Sequence, residues 1–81
     1  MKIMKPETFE KLRVFVSVDD DGNEALLGGT TADGDEVPLI ACDEDRYRSC
    51  VIMARRIANV MGRPVHVLEF SGRVQVAVIQ P

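Results

Sequence analysis

Hydrophobic and polar positions first alternate over KLRVFVSV, where Leu12, Val14, Val16 and Val18 fall on one side and Arg13, Phe15 and Ser17 on the other. A period of two is that of a half-buried strand, and its leucine–valine side is the expected core face. DDDGN follows as a turn, with Gly22 and Asn23 suited to positive φ. EALLGGTT reads as a second, antiparallel strand in which Gly28-Gly29 marks a bulge or a close backbone approach. After the turn ADGDE comes VPLIA, a short strand that Pro38, having no amide hydrogen, confines to an edge.

The period then changes to that of a helix. Tyr47, Cys50, Val51, Ala54, Ile57, Ala58 and Met61 lie within a ~120° sector at 100° per residue, which makes a continuous core stripe. The helix starts near Asp43 and stops at Gly62, a natural left-handed cap, with Pro64 two residues on. Alternation returns in PVHVLEF and RVQVAVI, which flank Ser71-Gly72, read as a two-residue hairpin loop. In that register Val65, Val67, Val74, Val76 and Val78 face the helix. His66, Leu68, Phe70, Arg73, Gln75, Ala77 and Ile79 face away, together with Phe15.

The parts run β-β-β-α-β-β. Their economical packing is an α+β fold: a single antiparallel sheet of about five strands with one amphipathic helix on one face. Residues 1–81 make one small domain, close to the lower size limit for unaided folding. A hydrophobic fraction of 46% is enough for a core and argues against disorder. No apolar run reaches the ~18–20 residues that span a bilayer. MKIMKPETFEKL lacks the apolar region of a secretory signal, so a cytoplasmic location without membrane contact is expected.

One helix covers one sheet face, so apolar groups are left over in two places. On the sheet they are Phe15, Leu68, Phe70 and Ile79 beside Arg73, an open face for a partner or a homodimer unless the PETF segment folds back over it. On the helix they are Ile52, Met53 and Val60 around Arg56, with Arg48 and Arg55 on one shoulder. Met and Arg without Lys or Glu is a mixture that interface centres favour.

Charge divides the surface further. From Asp19 to Asp45 there are ten acids and no Lys or Arg, whereas Arg46–Arg63 carries five arginines and no acid, within a net charge of −3. Asp19, Asp20, Asp21, Asp33, Asp35 and Glu36 form the expected acidic ridge. Such a ridge suits a basic partner and opposes duplex DNA, whose binding rests on neutralised phosphates.

Catalytic and metal chemistry find no support. There is no G-x-S-x-G, and the single histidine, His66, has no catalytic context. Counted from Asp19, the glycine and glutamate places of a calcium loop hold Glu24 and Thr30. Cys42 and Cys50 with His66 make only three zinc ligands at unsuitable spacing, so both cysteines are expected as free thiols. No enzyme, cofactor or metal is expected.

The reading that remains is a small acidic protein-binding module that occupies or masks a partner protein. In size, charge and layout it resembles small inhibitors and accessory proteins of phages and mobile elements, anti-CRISPR proteins among them, though no motif carries that likeness. The alternative is a single-stranded nucleic-acid binder that stacks bases on Phe15 and Phe70 beside Arg13 and Arg73.

Overall fold

The computed structural model describes residues 9–81. In chain order its elements are β1 (Lys11–Val18), β2 (Glu24–Leu26), β3 (Gly28–Thr30), β4 (Glu36–Pro38), β5 (Ile40–Ala41), α1 (Glu44–Met61) and β6 (His66–Ser71). The fold is α+β, with antiparallel strands and one helix, as the sequence pattern requires. Two expected strands are each divided, at Leu27 and at Leu39, and residues 72–81 form no strand.

The division has one cause. β1 is the central strand, paired along one side with β6 from Lys11↔Ser71 to Val16↔His66. Along its other side, Val16–Val18 pair with β2 and Arg13–Val14 pair with β5. Leu27 and Leu39 therefore both stand opposite Phe15, and between them the chain leaves the sheet as the β3–β4 hairpin. Three backbone bonds close the branch: Phe15 N–H donates to Leu39 C=O (3.1 Å), Leu39 N–H to Leu27 C=O (2.8 Å), and Leu27 N–H to Phe15 C=O (2.9 Å). Each strand end thus gains a partner where the ladder would otherwise break.

The helix begins as expected. Asp43 is the N-cap, its carboxylate accepting from the Arg46 amide at 2.7 Å, and Glu44 and Asp45 occupy the first turn, where the helix dipole favours acids. It ends at Gly62 in the left-handed conformation, whose N–H donates to Ala58 C=O at 2.8 Å. Its stripe meets β1 and β5 at a core of Phe15, Leu39, Ala41, Cys50 and Ala54, backed by Leu27, Tyr47, Val51, Met53, Ile57 and Val65.

The face of β1 that meets the helix is the reverse of the one expected. Phe15 is 1% exposed and lies 5.7 Å, centroid to centroid, from the Tyr47 ring. Arg13, on the same face, lays its guanidinium over that ring at 4.3 Å. Burying Phe15 removes more apolar area than any valine would, and the Arg13 stem packs while its head stays paired. Leu12, Val14 and Val16 consequently face away from the helix.

Candidate interaction surfaces

Alternation along β1 and β6 sorts the side chains into two faces. Helix-side, Arg13 joins three elements: Nη1 donates to Glu44 Oε1 at 2.8 Å and Nε to Glu69 Oε1 at 2.9 Å, tying β1 to α1 and β6. Hydrogen bonding to Glu44, then to Glu69, holds the Arg13 pKa above its ordinary value, and the same contact with Arg13 draws the Glu44 carboxyl below its own. Arg13 is thus structural, and it does not belong to an open platform. Phe15 is likewise withdrawn from that surface, since a ring 1% exposed has no face on which a base could stack.

The opposite sheet face is apolar and largely open, although Val16 within it is buried. Register places Leu12 beside Phe70, Val14 between Leu68 and Ile40, and Val16 between Leu26 and His66. Phe70 is 55% exposed and Leu26 50%; Leu12 is also exposed, whereas Val14, Ile40 and Leu68 are half-buried. Leu68 and Phe70 therefore lie on the expected open face. Arg73 and Ile79 do not share it as strand residues, because the chain past Ser71 is unpaired. Leu12 and Leu26 were missed. Leu26 sits between Ala25 and Leu27 in a run where either leucine could face inward, so the pattern alone did not choose. The PET part of the segment proposed to fold back lies outside the described residues, and Phe9 is exposed.

On the helix, Ile52, Arg48, Arg55, Arg56 and Val60 are exposed, as expected of an outer side. Met53 is not part of it. Its sulfur lies 2.6 Å from where a Cβ on Gly29 would stand, so the glycine is the close approach foreseen in the Gly-Gly pair and Met53 is packing against the β3–β4 hairpin. Arg48 comes within 3.8 Å of Asp45 one turn back, an exposed pair of small worth. Without Met53 the outer side is reduced to Ile52 and Val60 around Arg56.

The acidic ridge is divided between two turns. Asp19 accepts from the amides of Asp21 (2.9 Å) and Asn23 (2.8 Å) and from Asn23 Nδ2 (3.1 Å), which lowers its pKa and makes it the brace of its own turn. Asp20 lies 3.8 Å from Arg63, which also donates to Val18 C=O at 3.0 Å. Asp33, Asp35 and Glu36 stand at the β3–β4 tip, closed by Thr31, whose hydroxyl accepts from the Asp35 amide at 3.1 Å. Among the described residues no hydrogen bond or ion pair joins the two turns.

Cys42 is exposed and Cys50 buried, both as free thiols, and burial pushes the Cys50 thiol upward in pKa. Among the described residues no cluster of three His, Cys, Asp or Glu side chains is placed to hold a metal. No helix among them is long and apolar enough to cross a membrane. Comparison with protein-family models, with curated proteins and with solved structures gives no match in any of the three.

Proposed function

We propose that this chain is a non-enzymatic protein-binding module that acts by occupying a surface of a partner protein. One observation carries the reading: the sheet face away from the helix presents Leu12, Leu26 and Phe70 exposed around half-buried Val14, Ile40 and Leu68 and buried Val16. Apolar residues scattered singly need no partner, but neighbours in one register form a contiguous patch of the kind that marks an interaction site. Apolar area of this sort supplies affinity, and the acidic turns favour a partner with basic residues at its rim.

Leu26→Glu with Phe70→Glu tests it, since both side chains already meet solvent and the fold should persist. Tagged wild-type protein is expected to retain a protein partner from extracts of its own cells. The double variant should lose that partner, and Ile52→Glu on the helix should keep it. Capture unaffected by the sheet substitutions would sink the reading. Oligonucleotide binding that falls steeply with salt and disappears in Phe70→Ala would instead favour the nucleic-acid alternative.

A further inference from the structure

Beyond Ser71 the chain carries the strongest strand pattern that the fold leaves unused. Arg73, Gln75 and Ala77 alternate with Val74, Val76 and Val78. Val76 is 92% exposed and Ile79 95%, and nothing among the described residues pairs with their backbone. Such a segment in water has neither a ladder nor a buried face to hold it. The described residues are correspondingly extended, with a Cα radius of gyration of 14.8 Å, where a compact chain of similar length would have ~12 Å.

A matching vacancy lies on the same molecule. Among the described residues β6 pairs with β1 alone, which leaves its outer edge without a strand partner there. Beside that edge an open groove of about 230 Å³ separates the helix from β6, floored by Phe15, Val51, Ala54, Ala58, Val65 and Val67. It is larger than the ~150 Å³ cavity that admits a benzene molecule, so it has room for more than one valine side chain. A strand added to the edge would present alternate residues to the groove and the rest to the far face. The arm suits both demands: three valines on one side, Arg73 and Gln75 on the other. Its length also fits, since residues 73–79 reach ~23 Å as a strand and β6 itself about 20 Å.

The loop chemistry decides whose arm enters the groove. A two-residue hairpin requires positive φ at its first position, in type II′, or at both, in type I′. Gly72 has φ 78°, but among the described residues only glycines take positive φ, so Ser71 does not meet either requirement. The negative–positive order found there belongs to turns that splay the strands apart, and it directs the arm away from its own sheet. A second copy brings the same arm and the same groove, and a twofold arrangement satisfies both at once. We infer that two copies of this chain exchange their C-terminal arms, residues 73–79 of each adding as a strand to the β6 edge of the other, with Val74, Val76 and Val78 seated between that strand and the helix. The inference rests on the helix side of the sheet and not on the proposed protein-binding reading, although Arg73 and Gln75 of the added strand would border that face.

Light scattering and sedimentation of the full chain at about 1–100 μM test it, the range in which weak dimers dissociate. The expected mass at the upper end is twice the 9.0 kDa of one chain. Val76→Asp should give the single-chain mass with its helical circular dichroism intact. Ser71→Asn supplies an Asn-Gly loop that closes the arm onto its own β6, and should raise the dimer dissociation constant by about tenfold, the cost of forcing an ordinary residue left-handed. A single-chain mass at every concentration overturns the inference, whether the arm is closed on itself or free for another protein. So does a Val76→Asp chain that still dimerises. If Val76→Asp loses its helical signal, Ser71→Asn decides, and an unchanged dissociation constant overturns the proposal.

Discussion

The surroundings of Phe15 and the segment beyond Ser71 are built from similar residues and end differently. Around Phe15, alternating apolar side chains find backbone partners on both sides and a helix above, and Phe15, Leu39 and Cys50 are almost wholly enclosed. Beyond Ser71, valines at the same spacing find neither. Alternation gives a strand two faces, but a partner must come from the connection that leads into it. Asp19 braces the turn that returns β2 onto β1, whereas the Ser71-Gly72 order returns nothing onto β6.

The enclosed region should respond most strongly at the branch. Leu39→Ala should cost about 2–5 kcal/mol, the usual loss for emptying a fully buried leucine site, while Val76→Ala at a dilution that keeps the chain monomeric should stay within about 0.5 kcal/mol. Equal losses in urea unfolding would mean that the arm is packed within one chain. At the helix start, Asp43→Ala should remove about 1 kcal/mol by taking away the acceptor for the Arg46 amide, and Asp43→Asn should restore most of it in the same titration. Acid should have the smallest effect. Glu44 and Asp19 both titrate lower in the folded chain than in the unfolded one, Glu44 through Arg13 and Asp19 through the Asn23 amide. Their contribution is therefore full above about pH 4.5 and is lost as pH falls through the lowered folded values. In Arg13→Gln the difference in melting temperature between pH 7 and pH 3 should narrow; an unchanged difference would show that the cluster adds nothing.

The helix was legible from its caps and its stripe because each signal is local: Asp43 precedes the first turn, Gly62 follows the last, and of the seven apolar residues on one side all but Met61, exposed in the last turn, are buried or half-buried. The strands were less so. Both sides of β1 hold apolar residues, and choosing between them needed Tyr47, more than thirty positions on, to be seen beneath Arg13. Met53 looked like an outer residue on the helical wheel, yet the absent side chain of Gly29 lets it turn inward. Ser71-Gly72 was read as a hairpin from its composition, but the order of the two residues matters more than their identity. Of the candidate surface, Leu68 and Phe70 followed from parity along β6, and Leu12 and Leu26 appeared only once β1 was correctly turned.

Leu27 and Leu39 share a single rung of the ladder, and that shared rung makes the hairpin between them a closed parenthesis in the chain. Residues inserted near Asp33 lengthen the parenthesis without shifting which residue of the sheet stands beside which, because both of its ends are pinned at Phe15. The tip is thus a place where this small protein can accept foreign peptide sequence while its registry stays the same.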